Sequence, residues 1–286
     1  MNRLAVSTAI MAVTALGHST NINKVNFHNE ATDTTTITRL LQDAAVAGQQ
    51  PGSRVAGIGR EFIGTAYRSG TLEGESEMLQ VNLDEMDCTT YVETVMALAY
   101  TIGENRHSWR DFLYNLERLR YRGGEMSDYA SRLHYISDWV VDNVRRGNFI
   151  EVTSQIPSSD YTDKTIDFMS SHRDKYPALA DSLQFVKIKN TESGYRNHRF
   201  PYIKKERLAN KAVMAALKDG DVVALTSKIA GLDVSHMGII VKENGIPYLM
   251  HASSAAGSVV IDRLPLAEYM RRNKNLSGIR VFRLID

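Results

Sequence analysis

The sequence predicts an α+β fold, with helices in the first two thirds of the chain and strands in the last third. Apolar residues recur at helical spacing from about residue 37 to residue 144. Five short runs typical of strands follow Leu217, and turn pairs separate the early ones. Helices followed by a run of strands are typical of an antiparallel sheet with helices packed on one side.

The first 17 residues have the pattern of a signal peptide. A short cationic start precedes an uncharged, mainly apolar run from Leu4 to Leu16, which is too short to span a bilayer. Ala15 and Gly17 are the small residues expected before a cleavage site. We predict a signal peptide at 1–17 and export of a single domain at 18–286, with a frayed N-terminal helix as the alternative.

Composition argues against some partners. The 286 residues include 34 basic and 33 acidic side chains, so no net field attracts nucleic acid or an anionic membrane. No segment after the leader has the length and apolarity of a membrane anchor. The one cysteine forms no internal disulfide, and its thiol is explained either by reactivity or by packing.

Two helices are predicted before the loop that carries Tyr67 and Gly70. Both stretches have apolar residues every three or four positions, the pattern of a helix that faces a core. The first comprises Ile37, Leu40, Leu41, Ala44 and Ala45, and the second Val55, Ile58, Phe62, Ile63 and Ala66.

Cys88 is predicted to begin a buried helix that extends to about Ile102. Apolar residues keep a helical period after it, and Asp87 stands at the N-cap position. A thiol at a helix N-terminus faces unpaired amides and the positive end of the helix dipole, which favour the thiolate. Asp87 is either a cap alone or also a contact of the thiol.

The middle of the chain, from about 105 to 205, is predicted to be mainly helical. Two amphipathic helices are expected at about 109–119 and 129–144, separated by Gly123 and Gly124. A short strand at 149–152 and a helix at 166–176 follow. The aromatic passage at 193–202 is interpreted as a loop, whose rings either stack on a sugar or pin the loop to the surface.

The last third is predicted to form strands at 221–226, 238–241, 248–252, 258–261 and 278–285, with one helix at 264–271. Asp219-Gly220 and Asn244-Gly245 are turn pairs, so the early strands are expected to be antiparallel neighbours.

Cys88, His236 and His251 have the order and chemistry of a cysteine hydrolase site. Such a site needs a thiol nucleophile, an imidazole that moves the proton and a polar group that orients the imidazole. His251 follows His236 by 15 positions, which span one strand, a turn and the next strand. We therefore expect the two histidines to lie side by side on adjacent strands.

Competing sites have weaker support. The chain has no HExxH or CxxC pattern, so zinc held by the two histidines is a minor alternative. GxSxG is absent, and the Gly57, Gly59 and Gly64 spacing breaks the dinucleotide pattern. The other histidines are expected to be solvated; they are His18, His28, His107, His134, His172 and His198.

In these residues the chain resembles the NlpC-type cell-wall peptidases, a papain-like superfamily. Its members have an Asp-Cys pair that opens a helix, a Ser-His pair that opens a strand and a polar residue on the next strand. Gly64 to Tyr67, the run from Asp87 to Glu93, and His251 to Ser254 look like the N-acetylmuramoyl-L-alanine amidase-like branch. The likeness covers about 55–102 and 217–286, and it implies a papain-like fold with 105–205 as a helical insertion.

The resemblance implies roles for seven residues. Cys88 matches the nucleophile, His236 the general base and acid, and His251 the orienting residue. Tyr67 matches a tyrosine beside the cysteine that stabilises the oxyanion. The positions that match the substrate cleft are Asp87, Thr89 and Ser235. Thr89 and Thr90 depart from the usual Ser-Gly after the cysteine, which favours a cut other than that of the endopeptidase members.

The function expected from the resemblance is hydrolysis of peptidoglycan fragments (muropeptides) between N-acetylmuramic acid, in its ordinary or anhydro form, and L-alanine. No metal or organic cofactor is expected, and neither is a nucleic-acid partner. We expect an exported monomer in the periplasm or at the surface of a bacterium. The alternatives are a γ-D-glutamyl-diamino-acid endopeptidase of the same fold and a non-catalytic wall-binding module.

Overall fold

The computed structural model describes residues 20–43 and 49–285. The predicted leader at 1–17, His18, and the end of the first predicted helix at Ala44 and Ala45 lie outside the described residues. In the described part, no helix combines the length and the hydropathy needed to cross a membrane.

Helix α3 (Cys88–Gly103) is the centre of the apolar core. Its residues from Thr90 to Ile102 are all buried. It packs against α1 (Glu30–Leu41), α2 (Pro51–Glu61) and α4 (Trp109–Arg120), and also against the sheet. Because α3 is enclosed on every side, its position is set by close packing, and its first residue has a defined place.

A large sheet supports α3. The strands of the described chain are β1 (Val25–Phe27), β2 (Ala66–Tyr67), β3 (Leu79–Val81), β4 (Glu85–Met86), β5 (Ile150–Glu151), β6 (Ser159–Lys164), β7 (His198–Lys204), β8 (Val222–Ser227), β9 (Val234–Glu243), β10 (Ile246–Ser253), β11 (Ser258–Pro265) and β12 (Leu276–Arg283). The strand order in the sheet is β4-β2-β11-β10-β9-β8-β12-β7-β6, and β5 pairs with β12. Among the described residues, only β2 and β4 pair in parallel within this sheet, and β1 and β3 form a separate parallel pair.

Apolar residues cover both faces of the central strands. Val222 and Ala224 of β8 belong to the cluster that contains α3, whereas Val223 and Leu225 belong to a second cluster on the opposite face. The second cluster is completed by α8 (Lys211–Ala216) and α9 (Leu266–Arg272). A strand buried on both faces has no alternation of polar and apolar residues, which explains the continuous apolar run of β8.

The described chain has an α+β order, and it contains the elements predicted to carry the candidate site. The prediction of an antiparallel sheet with helices on one side is wrong, because β2 and β4 are parallel and α8 and α9 cover the second face. The helix from Cys88 is present, and so are the five predicted strands and the helix near 264–271. Asn244 and Gly245 both have positive φ, 52° and 82°, which is the backbone of a type I′ hairpin turn between β9 and β10.

The middle of the chain is less helical than predicted. The second long helix, α5 (Ile136–Arg145), begins seven residues later than expected because Asp128 caps a single turn at Tyr129–Ser131. The predicted helix at 166–176 contains only the short α6 (Phe168–Ser171) and a further turn. Helix α7 (Ser182–Ser193) was not predicted, since Leu183 and Val186 are exposed and its sequence has no apolar stripe.

The prediction of a loop at 193–202 is wrong, because the second half of this passage forms β7. This strand pairs with both β6 and β12. Phe200 is buried beneath the guanidinium of Arg280, and the hydroxyl of Tyr195 donates to Asp138 Oδ1 at 2.7 Å. These rings are therefore held by the protein, which agrees with the pinned alternative and not with a sugar platform.

A buried ion pair fixes α3 against α4. Nε of Arg120 donates to Oε2 of Glu93 at 2.7 Å, and both side chains are at most 3% exposed. Nη1 of Arg120 also donates to the carbonyl of Gln80 in β3 at 2.8 Å. The guanidinium thus joins the helix that begins with Cys88 to two neighbouring elements.

Replacing Arg120 with methionine should leave the Glu93 carboxylate buried without its partner. We expect a loss of about 3–5 kcal/mol in the free energy of unfolding, measured by urea denaturation. Arg118→Met on the same helix is the control, because its pair with Glu104 is partly exposed and should cost about 1 kcal/mol or less. Equal losses of unfolding free energy in the two variants would show that the buried ion pair stabilises the fold no more than the exposed one.

Candidate active site

Cys88 is the first residue of α3, and Asp87 is its N-cap. Oδ1 of Asp87 accepts from the amides of Thr89 and Thr90 at 3.0 and 2.8 Å, and the Asp87 amide donates back to the Thr90 hydroxyl. This reciprocal capping box fixes the entry of the chain into the helix. The capping role of Asp87 is confirmed, and the carboxylate also acts on the neighbouring thiol.

The thiol of Cys88 is neutral at physiological pH. Burial of the sulfur, and after it the negative charge of Asp87, raises the pKa of Cys88 to about 11. The amide of Met237 donates to the sulfur and opposes this rise, but burial outweighs it. The helix N-terminus favours the thiolate, as expected, because the Cys88 amide also lowers the pKa, but desolvation of the sulfur has the larger effect.

His236 directly precedes Met237, whose amide contacts the Cys88 sulfur, and it follows a bulge in β9. In the pairing with β8, His236 is opposite Leu225 while Val234 is opposite Thr226, so Ser235 is an extra residue on β9. Ser235 is exposed and the His236 ring is partly buried. Burial lowers the pKa of His236 to about 4, so this imidazole is also neutral at pH 7.

His236 and His251 meet as expected on adjacent strands. Nε2 of His236 and Nδ1 of His251 are 2.6 Å apart, and the two rings are edge to face. Gly238 gives the second imidazole its room, because a Cβ at this position would lie 3.1 Å from the Cβ of His251 and 2.6 Å from a methyl carbon of Leu249. Burial and the neighbouring His236 lower the pKa of His251 to about 4.

Tyr67 lies beside the nucleophile candidate. Strand β2 pairs with β4 so that Tyr67 is opposite Met86, two residues before Cys88. Burial, and after it the charges of Cys88 and Asp87, raises the pKa of Tyr67. Its phenol is therefore a neutral hydrogen-bond donor at physiological pH. The hydroxyl of Thr89 is 3.9 Å from the sulfur of Cys88.

Two residues of this cluster were not identified from the sequence. Oδ2 of Asp262, in the middle of β11, is 3.7 Å from Nε2 of His251. Tyr269 of α9 places its ring edge against His251, and burial followed by the charges of Asp262 and Cys88 raises the pKa of Tyr269 to about 12. Neither has a sequence signal, because a strand irregularity and the packing of a short helix bring them to the site.

The arrangement contains a thiol, two linked imidazoles and two phenols. Within residues 20–43 and 49–285, no three His, Cys, Asp or Glu side chains are placed to share a metal ion. Four of the histidines that were expected to be solvated are not. Nε2 of His198 is buried, and ring nitrogens of the other three lie at hydrogen-bond distance from backbone carbonyls. These pairs are His107 with Leu41, His134 with Tyr129 and His172 with Phe168.

Comparisons with known proteins identify one sequence family and several similar solved structures. The family model for AmiA-like proteins, described as N-acetylmuramoyl-L-alanine amidase-like, matches residues 57–279. An N-acetylmuramoyl-L-alanine amidase from Bacteroides uniformis is 37% identical over 83% of this chain and 100% of its own, with a TM-score of 0.79. No curated protein matches the chain.

Two further solved structures are similar. A Bacteroides fragilis protein described as a candidate xylanase is 38% identical over 80% of this chain and 100% of its own, with a TM-score of 0.74. A Legionella pneumophila protein has 23% identity, covers 90% of this chain and 96% of its own, and has a TM-score of 0.72. The latter likeness is one of fold alone.

Asp87→Asn should make Cys88 more reactive. Asparagine caps a helix as well as aspartate does, so the variant removes the charge and keeps the cap. We expect the pKa of Cys88 to fall, with about threefold more thiolate at pH 8, measured as the pH dependence of alkylation by iodoacetamide. Asp84→Asn, at an exposed position in the preceding loop, should change nothing. An unchanged or higher midpoint in Asp87→Asn would contradict this electrostatic account.

Proposed function

Because the chain belongs to the N-acetylmuramoyl-L-alanine amidase-like family, we propose that it hydrolyses the amide between N-acetylmuramic acid and L-alanine with Cys88 as the nucleophile. The observation that carries this proposal is the hydrogen bond between His236 and His251. His236 directly precedes Met237, whose amide contacts the sulfur of Cys88. A thiol, a base and an orienting group in this order form the machinery of a cysteine hydrolase.

The fold proposal is an NlpC-type, papain-like architecture. Two features of the described chain support it. A cysteine begins a buried helix, and that helix packs on an antiparallel sheet whose neighbouring strands carry the two histidines. Residues 105–205 contribute α4, α5 and the strands β6 and β7 around this centre, and β6 forms one edge of the sheet.

Attack begins from an uncharged site. Since the thiol and both imidazoles are neutral at pH 7, the proton of Cys88 passes to His236 as the sulfur attacks the lactyl carbonyl carbon. The carbonyl oxygen gains the negative charge. The amide of Cys88, which has no intrahelical acceptor at the first position of the helix, and the hydroxyl of Tyr67 are the donors proposed for this oxyanion.

The proton on His236 then goes to the nitrogen of L-alanine, and the carbon–nitrogen bond breaks. The free peptide leaves, and the muramoyl group remains on Cys88 as a thioester. Water attacks this thioester with His236 as the base, the carbon–sulfur bond breaks, and the proton that His236 took from the water passes to the sulfur. Asp87, Thr89 and Ser235 are proposed to line the cleft around the reacting bond, and Ser235 is the most exposed of them.

The same chemistry supports one alternative cut, at the γ-D-glutamyl bond to the diamino acid. The amidase cut is favoured by the family description and by Thr89-Thr90 in place of the Ser-Gly of the endopeptidase members. A non-catalytic wall-binding module is the other alternative. The two hydrogen-bonded imidazoles argue against it, because His236 directly precedes Met237, whose amide contacts the sulfur.

Glycoside hydrolysis, suggested by the name of one similar structure, has less support. That reaction needs two carboxyl groups across the scissile bond. Here Asp87 accepts from two helix amides and Asp262 accepts from the amide of Leu264, so both carboxylates have structural partners.

The proposed setting is the periplasm or the surface of a bacterium, with muropeptides as the substrate and a monomer as the active species. The substrate proposal follows from the family, and the setting follows from where peptidoglycan is found. The leader that motivates export lies outside the described residues.

Replacing Cys88 with alanine should abolish hydrolysis of muropeptides, and Cys88→Ser should lose at least about 10³-fold in kcat. Mass spectrometry of the products identifies the bond, because the proposed cut alone releases a peptide that begins with L-alanine. Full activity of Cys88→Ala would refute the mechanism. A product that begins with the diamino acid would move the cut to the alternative bond.

The pH profile should reflect the buried imidazole. Because burial lowers the pKa of His236 to about 4, this base stays neutral well below the pH at which an exposed histidine protonates. We expect kcat/KM to be flat at neutral pH and to fall only as the pH approaches 4. The assay uses a muropeptide with amidated carboxyls, so that the substrate does not titrate, and circular dichroism confirms that the protein stays folded. A fall centred near pH 6.5 would contradict this assignment.

A further inference from the structure

His251 has one buried nitrogen without a hydrogen-bond partner in the described part of the chain. Its Nδ1 is paired with His236, but its Nε2 has no partner within hydrogen-bond distance. The side chain is only 2% exposed, so water does not freely replace the missing partner. A buried polar atom of this kind needs an explanation, since it is costly unless it has a role. The carboxylate of Asp262 faces it at 3.7 Å.

The local fold of β11 aims this carboxylate. In the pairing with β10, Ile261 is opposite Met250 and Pro265 is opposite Tyr248, so residues 262–264 bulge against one residue of the partner strand. Within the bulge, the amide of Leu264 donates to Oδ1 of Asp262 at 2.8 Å. One oxygen is thus held by the backbone, and the other is directed at His251.

The position of each proton along the two imidazoles depends on this carboxylate. A carboxylate accepts only, so it favours the His251 tautomer with hydrogen on Nε2. Nδ1 of His251 then has a lone pair and accepts from Nε2–H of His236. That leaves Nδ1 of His236 without hydrogen and able to take a proton. The opposite tautomers would put hydrogen on Nδ1 of His236 and remove the base.

We propose that Asp262 is a positioning residue, which holds the hydrogen of His251 on Nε2 and thereby keeps His236 in the tautomer that accepts the proton of Cys88. The catalytic part of this statement rests on the proposed function, since it assigns Cys88 and His236 as nucleophile and base. The other groups around His251 are His236 on β9 and the ring edge of Tyr269 on α9. Asp262 is the acidic group among them, and its charge opposes the lowering of the His251 pKa by burial.

The separation of 3.7 Å is consistent with a positioning role. Hydrogen bonds within catalytic sites are often long in the free enzyme and shorten when substrate binds. As the proton arrives on His236, the pair of imidazoles gains positive charge, and the attraction to the Asp262 carboxylate grows.

The test combines kinetics with the tautomers of the two histidines. Asp262→Asn keeps an oxygen for the amide of Leu264 and replaces the charge by a group that also donates. We expect kcat on muropeptides to fall by at least about 10-fold with little change in KM, because the wrong tautomer is then populated. Glu243→Gln, at an exposed position at the end of β9, is the control and should keep the activity of the unmodified protein.

Long-range proton–nitrogen NMR spectra of protein with ¹⁵N-labelled histidine give the second readout. We expect His251 to be protonated on Nε2 in the unmodified protein and to shift toward Nδ1 in Asp262→Asn. Protonation of His251 on Nδ1 in the unmodified protein would overturn the proposal, and so would an Asn variant within twofold of normal kcat with unchanged tautomers. The unmodified protein decides the question even if the variant does not fold. If the protein cleaves no muropeptide, the proposed function fails, while the spectra still judge the role of Asp262.

Discussion

The burial of α3 fixes the place of its first residue, and the rest of the site depends on that place. A helix enclosed by three helices and a sheet has little freedom to slide or rotate. The Asp87 side chain, which accepts hydrogen bonds from two helix amides, defines where the helix starts. The sulfur of Cys88 is thereby held at the Met237 amide of β9. The packing of the core therefore determines the position of the Cys88 sulfur.

Two strand irregularities position the other groups of the candidate site. The extra residue Ser235 in β9 comes immediately before His236, and the bulge at 262–264 in β11 carries Asp262. Strand β10 lies between β9 and β11, and its His251 faces His236 on one side and Asp262 on the other. In the proposed mechanism, charge separates only when the substrate carbonyl is attacked, because the thiol and both imidazoles start neutral.

The sequence was sufficient for the parts of the site that follow from local pattern. Periodicity and a capping residue predicted the helix that begins at Cys88, and an Asn-Gly turn between two apolar runs predicted the hairpin that brings His236 to His251. Asp262 and Tyr269 could not be found in this way, because a bulge and a tertiary contact bring them in. The charge state of Cys88 was also missed, since desolvation depends on the packing of several elements. Strand β7 has a polar and aromatic composition typical of a loop, and its two strand partners are visible only in the fold.

The central claim is that Cys88 carries the muramoyl group during turnover, and the covalent intermediate tests it most directly. The protein is mixed with a muropeptide, quenched in acid within milliseconds to seconds, and digested, and the peptide that contains Cys88 is weighed by mass spectrometry. The account predicts an adduct equal to the muramoyl acyl group, with the stem peptide already released. An adduct that contains stem-peptide residues, or substrate turnover without any adduct in a variant that lacks the thiol, would contradict it.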